Sequence, residues 1–289
     1  MLIGLVGIPR SPDLCLLKKR IEDRGHRALF VNLREFPQYV LSSFQRASAR
    51  FNHLDLLELD AFYIGEFETR NRFFRGIFDK DIWMTLRERY IDFAGAERDN
   101  VEYQISLLTA LSRRKPFVNE PESYVKARLR PAVLFRLGAA GLPAADPVVE
   151  IAGGQDQTSY MRVRIEEDET YDVPCFPRNL EGCAGLRIDD GGDRIRVIGL
   201  KGEGLSTSVV EAGGGVRVEE AGEDLVSLTA AILDTLSLET AEVHFIRHAG
   251  DIRITEVLPA PHVAEFEDLT GEAISGRIAG RLLSRGGSV

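Results

Sequence analysis

The opening 33 residues constrain the fold more than any other stretch of this chain. Met1 to Gly7 is a continuous apolar run of strand length, the pattern of a strand buried on both faces. Ser11 to Arg24 then reads as a helix. Ser11 stands at the cap position, Pro12 at the first helical position, and Leu14, Leu17 and Ile21 fall on one face. Gly25 ends the helix, and Ala28 to Leu33 (ALFVNL) is a second strand. Strand, helix and strand in so short a span form a βαβ unit, whose strands lie parallel with a right-handed crossover. The first turn is Gly7-Ile8-Pro9-Arg10-Ser11. It lacks the Gly-x-Gly-x-x-Gly pattern, so a dinucleotide site has little support.

The chain then continues in two styles. Leu59–Ile64 (LDAFYI) reads as a third strand, and apolar positions at helical spacing run from Trp83 to Leu111. Phe117-Val118-Asn119 is a short strand leading into a turn at Pro121, and Ser123 to Ala140 is a helix interrupted near its start by Pro131. After residue 150 short strands replace helices: Tyr160–Ile165, Gly185–Ile188, Ile195–Leu200 and Gly215–Val218. The turns between them carry Gly153-Gly154, Asp190-Gly191-Gly192 and Gly213-Gly214-Gly215, which is hairpin chemistry. A helix from Glu223 to Leu236, strands at Glu242–Ile246 and Ile252–Val257, and a last helix from about Ala273 to Leu283 complete the pattern. A length of 289 residues suits two domains. The expected division is an α/β domain with a parallel sheet over residues 1–116, followed by an α+β domain with a mostly antiparallel sheet over residues 117–289.

Composition narrows the function classes. The net charge of −9 argues against a nucleic-acid groove or an anionic membrane surface, both of which favour positive charge. The three cysteines, Cys15, Cys175 and Cys183, are odd in number and far from any Cys-x-x-Cys spacing. They read as reduced thiols of a soluble cytoplasmic protein. The apolar N-terminus has no basic region before it and is broken by Pro9 and Arg10, so it reads as a strand and not as a signal peptide. The five histidines (His26, His53, His244, His248 and His262) show no zinc-type spacing with the cysteines.

Three ordered stretches carry a family resemblance. The first runs through Leu236-Ser237-Leu238, Ala241-Glu242-Val243-His244-Phe245-Ile246, the turn Ala249-Gly250-Asp251, and Thr255-Glu256-Val257-Leu258-Pro259-Ala260-Pro261, ending at the helix after Leu269-Thr270-Gly271. The second is FVNEPESYVKARLRPAVLFRLGAAGLPAADPVV, residues 117–149, and the third is VPCFPRNLEGCAGLRIDDGGDRIRVIGL. In this order they resemble the ATP-grasp ligases of the glutathione-synthetase and ribosomal-protein-glutamate-ligase kind. Ala96-Glu97-Arg98-Asp99-Asn100 resembles the domain preceding the grasp in the peptide-maturing branch. The resemblance implies a pre-ATP-grasp domain over residues 1–116 and an ATP-grasp-like domain over residues 117–289. It implies an ATP- and magnesium-dependent carboxylate–amine ligase acting on a peptide or amino-acid substrate. The alternative is an inactive scaffold of the same fold that binds a peptide, a protein partner or a second copy of itself.

The resemblance also assigns residues, and the chain departs from it in places. Glu256 matches the family's magnesium-binding glutamate. His244 stands where the family has an aspartate and Leu258 where it has an asparagine. Glu242 lies two residues from His244, on the same face of a strand, so Glu242, His244 and Glu256 form the implied metal set, with Asp251 a further carboxylate nearby. Read without the resemblance, they are a surface glutamate and a hydrogen-bonded histidine on a half-exposed strand. Arg130 maps to the first phosphate-binding lysine, with Lys126 one helical turn earlier as a substitute. Arg187 matches an arginine that clamps phosphate or carboxylate, and with Glu256 it forms the implied catalytic pair. The plain reading of Lys126 and Arg130 is a solvated basic face. Between Val149 and Val173 the chain has no lysine, so the family's phosphate-covering flap is expected to be shortened.

Overall fold

The computed structural model describes residues 1–32, 44–45, 48–51, 54–65, 104–128, 130–145, 148–151, 159–166, 169–175, 184–187, 192–203 and 207–287. The βαβ unit is present. Strand β1 (Leu2–Val6), helix α1 (Pro12–Glu22) and strand β2 (Arg27–Val31) follow one another, and β1 pairs β2 in parallel with Ile3 opposite Ala28. Leu14, Leu17 and Ile21 are the buried face of α1, and Gly25 turns the chain at φ 77°. Ser11 has the extended backbone of a cap residue but makes no side-chain cap bond; its hydroxyl donates to Asp13 instead, at 3.4 Å. Proline at the first helical position already fixes the entry and removes one orphan donor.

Three short strands follow, β3 (Phe44–Gln45), β4 (Ser48–Phe51) and β5 (Leu54–Asp55). Strand β6 (Ala61–Ile64) pairs β1 in parallel on its other side, and β7 (Phe117–Val118) pairs β6, giving the order β2-β1-β6-β7. All four residues of β6 are buried, as expected of a central parallel strand covered on both faces. Phe62 and Phe117 stack across this pair with centroids 4.7 Å apart. Gly4 makes room for them: a Cβ there would lie 2.6 Å from the Phe62 ring. Helix α2 (residues 104–112) covers this side through Leu107, Leu108 and Leu111. The remainder of the helical segment expected from Trp83 onward lies outside the described residues.

Helices α3 (Pro121–Ala127) and α4 (Arg130–Ala139) are separate. Pro131 stands in the first turn of α4, where its missing N–H costs nothing, so each proline begins a helix. The next strands form two antiparallel pairs: β8 (Val148–Ile151) with β11 (Ala184–Arg187), and β9 (Ser159–Glu166) with β10 (Glu169–Cys175).

The remaining strands build one antiparallel sheet. It comprises β12 (Asp193–Leu200), β13 (Thr207–Ala212), β14 (Gly215–Glu220), β15 (Thr240–His248) and β16 (Asp251–Leu258), in the order β14-β13-β12-β15-β16. Helix α5 (Glu223–Leu236) packs Leu225, Ile232, Leu233 and Leu236 against one face, together with α4. The other face meets α6 (Val263–Thr270) and α7 (Ile274–Gly286), which also pack on α1 and β1. Ile274, Ile278 and Leu282 of α7 recur every four residues and are buried, the stripe of a helix packed along its length. One apolar core therefore joins the parallel sheet to the antiparallel one.

Asn119 joins them a second way. It is fully buried at φ 61°, in the left-handed region that asparagine tolerates. Its amide nitrogen donates to the carbonyls of Thr240 (2.8 Å) and Pro259 (2.7 Å), and its oxygen accepts from the backbone N–H groups of Glu239 (2.7 Å) and Thr240 (3.1 Å). The end of the parallel sheet is thereby held against the start of β15 and the end of β16. Among the described residues no helix is long and apolar enough to cross a membrane.

Candidate functional site

Strands β15 and β16 bring the chemistry-bearing residues together. His244 faces Glu256 in register and Glu242 faces Leu258. The register shifts beyond His244, so that Phe245 faces Ile254 and Thr255 is the extra residue of a bulge. Bulges re-aim side chains and often adjoin functional sites. Here the bulge lies immediately before Glu256. Glu242 and His244 share one face of β15, while Val243 points into the opposite, apolar core.

Glu242 is 1% exposed and its carboxylate is fully engaged. His244 Nε2 lies 2.7 Å from one oxygen; the backbone N–H and Nδ1 of His262 both lie 2.9 Å from the other. Arg196, on β12 opposite His244, places Nη1 3.7 Å from the same carboxylate. Burial opposes the charge on Glu242, but hydrogen bonds from His244 and His262 and the charges of those rings outweigh it, holding its pKa well below the usual carboxylate range. The ionised carboxylate accepts only, so both ring nitrogens facing it carry protons.

Arg196 extends the network. Its Nη2 donates to Glu265 at 2.5 Å, and its Nε is 3.4 Å from Glu211. Burial works against its charge, yet the bond to Glu265 and the surrounding carboxylates leave its pKa raised. Asp13 enters from α1, accepting the backbone N–H of Ala264 at 2.8 Å. Burial raises the Asp13 pKa against the lowering effect of that bond. The first turn of α6 is thus held by two carboxylates, Glu242 at His262 and Asp13 at Ala264. Both complement the positive end of the helix and its orphan N–H groups.

Glu256 is the contrasting carboxylate. Its side chain is 31% exposed, with His244 Nδ1 3.5 Å from one oxygen. Arg130, the first residue of α4, donates through Nε to the carbonyl of Thr255 at 2.9 Å, so it stands at the bulge next to Glu256. Lys126 points elsewhere: it pairs with Glu122 at 2.7 Å, both side chains more than half exposed. Arg187 is the last residue of β11, opposite Val148. Asp251 lies at the hairpin end, opposite His248 and away from Glu256.

The implied magnesium set was Glu242, His244 and Glu256. Magnesium takes oxygen ligands in a near-ideal octahedron. Here both Glu242 oxygens are occupied by protein donors, position 244 offers nitrogen and position 258 offers no donor. Among the described residues no three His, Cys, Asp or Glu side chains are arranged to hold a metal ion. An all-oxygen magnesium cage therefore does not fit these residues. His262, Arg196, Asp13 and Glu265 had no signal in the sequence; they come from three other elements with no fixed spacing to β15.

No family model matches the chain, and no curated protein matches it in sequence. Solved structures do match. The ATP-grasp ligase PsnB, complexed with a phosphomimetic variant of a minimal precursor, Mg and ADP, superposes with a TM-score of 0.71 at 15% identity over 98% of each chain. The macrocyclase MdnC from Microcystis aeruginosa, bound with the precursor peptide MdnA, gives 0.68 at 14% identity, over 98% of this chain and all of the other. A RimK domain ATP-grasp protein from Sphaerobacter thermophilus gives 0.56 at 16% identity over 98% of this chain. A parallel-sheet domain followed by an antiparallel one, matched end to end in these structures, is the fold of the ATP-grasp superfamily, and this chain has it.

Proposed function

We propose that the chain is an ATP-dependent carboxylate–amine ligase whose substrate is a peptide. The observation that carries this reading is the end-to-end structural match to ligases captured with precursor peptides. The chain's own residues support it: Glu256 is left accessible at the bulge where Arg130 also arrives. In such a reaction a peptide carboxylate oxygen attacks the γ-phosphorus of ATP and ADP leaves. An amine then attacks the acyl phosphate, inorganic phosphate departs, and the amine loses a proton. The protein's part is mainly positioning and charge stabilisation. Arg130 and Arg187 are assigned to the phosphates and Glu256 to the ion accompanying them.

The test is ADP release and product mass in the presence of ATP, a divalent cation and a pooled peptide library containing acidic side chains and amines. ADP release with a peptide that loses one water supports the reading. Nucleotide binding without turnover on any peptide, or no nucleotide binding at all, leaves a peptide-binding scaffold instead. Glu256→Gln separates the two cases, because it removes turnover in a ligase and leaves peptide binding of a scaffold untouched.

A further inference from the structure

The five-stranded antiparallel sheet ends on one side at β14, which among the described strands pairs β13 alone. Gly213 and Gly214 turn the β13–β14 hairpin with φ of 59° and 80°, the positive values of a tight two-residue turn. Ala212 and Gly215 close that turn opposite each other. The closing pair of such a hairpin exchanges both backbone bonds, and hydrogen-bonded and non-hydrogen-bonded pairs alternate from there. Gly215, Arg217 and Glu219 therefore direct N–H and C=O to β13, while Val216, Val218 and Glu220 direct theirs to the outer edge. Such a row of donors and acceptors is a template for another strand. Val218 stands opposite the buried Val209 and so lies on the α6 side of the sheet; Val218 and Val216 are 43% and 58% exposed. Arg217 and Glu219 lie on the other face, both partly exposed, with Arg217 Nε 2.5 Å from Glu219 and Nη2 3.5 Å from Asp193.

We propose that β14 pairs antiparallel with β14 of a second copy of this chain, across a two-fold axis at Val218, joining the two sheets edge to edge. The charge pattern selects this occupant. With the axis at Val218, each Arg217 stands opposite Glu219 of the other copy, and the two Val218 residues stand opposite each other. The Arg217–Glu219 positions are then non-hydrogen-bonded pairs, whose Cα atoms stand only about 4.5 Å apart, so opposite charges meet twice at close range. On the other face the two Val218 and, on the diagonal, the two Val216 side chains cover one another. Moving the axis to Arg217 or to Glu219 sets like charges face to face. An unrelated strand has no reason to match this alternation, whereas the chain's own β14 matches it by symmetry. β14 and β16 are opposite edges of the sheet, so the pairing leaves Glu256 open and does not depend on the ligase reading.

The experiment is sedimentation velocity of the purified full chain over a range of about 1 to 100 μM, with hydrogen exchange at both ends of that range. One short strand pair is small beside the roughly 1,600 Å² of a standard interface, so a dissociation constant on the order of 10 μM is expected. Arg217→Glu or Glu219→Arg alone should weaken the dimer about tenfold or more, because two facing pairs become repulsive, and the double variant Arg217→Glu/Glu219→Arg should restore it. Circular dichroism confirms that each variant is folded. The amides of Val216, Val218 and Glu220 should exchange fast in dilute protein and slowly in concentrated protein, while those of Arg217 and Glu219 are protected in both. A chain that stays monomeric throughout overturns the proposal. So does a dimer indifferent to the single changes, or a double variant that stays dissociated. Outward amides that become protected in a monomer only when an extended peptide is added assign the edge to a peptide and overturn the second copy.

Discussion

Glu242 and Glu256 lie on paired strands of one sheet and have the same side chain, yet the structure uses them oppositely. Glu242 accepts from His244 and from His262 twice, lies beside Arg196, and is almost wholly buried. Glu256 has, among the described residues, one loose neighbour in His244, and its side chain is partly exposed. The difference lies in what stands behind each strand. β15 is flanked by β12, which supplies Arg196, and Glu242 lies under the first turn of α6, whose orphan N–H groups need acceptors. Beside Glu256, on its own strand, the bulge at Thr255 interrupts the register. A glutamate in this sheet is structural where protein donors converge on it and available where they do not.

The largest expected effect breaks the structural half. Glu242→Ala leaves Arg196, His244 and the His262 N–H facing an empty site, and removing one partner of a buried ion pair costs about 3–5 kcal/mol. Urea unfolding should show the loss. Glu242→Gln keeps the shape and one acceptor, and should lose less than half as much. Equal stability of wild type and Glu242→Ala would refute the structural role. Glu256→Gln gives the reverse pattern: a midpoint close to wild type, and turnover lowered by about 100-fold or more, the scale on which loss of one charge-stabilising group acts. A Glu256→Gln variant that unfolds early while keeping its turnover would invert the comparison.

Acid sharpens it. The Glu242 pKa is lowered in the fold, so between its folded and unfolded values the unfolded chain binds more protons. Its contribution is fully present above the unfolded value of about 4.3 and is lost as the pH falls through the folded one. The stability gap between wild type and Glu242→Gln should therefore be constant near neutrality and shrink below about pH 4. Asp13 works in the other direction: its pKa is raised by burial, so ionising it as pH rises costs the fold stability. A gap that instead widens in acid would mean that Glu242 is not held charged.

How much of this was legible follows from where each signal lies. The βαβ unit, α5, and the β15–β16 pair were readable because their apolar residues keep a clean period. Glu242 and His244 were placed on one face by the two-residue repeat alone. β13 was hidden because Ser208, Val209 and Val210 are all buried, which abolishes alternation. α6 was missed because it buries Val263 and Phe266 and follows a proline-rich turn. Within the site, the fate of Glu242 was illegible for a different reason. Its partners arrive from β12 and from the start of α6, and no spacing along β15 announces them.

The smallest expected effect separates two cations that the sequence left as alternatives. Lys126 and Arg130 are one turn apart in number, and a continuous helix would set them on neighbouring positions of one face. The chain instead starts a new helix at Arg130, and the two side chains part company. Lys126 goes to Glu122 on the outer face of α3, a pair too exposed to matter. Arg130 turns to the Thr255 carbonyl, where its Nε is engaged one residue before Glu256. Arg130→Ala should weaken ADP binding about tenfold, the worth of one charge-assisted contact, while Lys126→Ala should leave both ADP affinity and melting temperature unchanged. Calorimetric titration of the two variants decides it. If Lys126→Ala carries the loss and Arg130→Ala does not, the phosphate contact belongs to α3, and the accessible half of the comparison has to be redrawn around that helix.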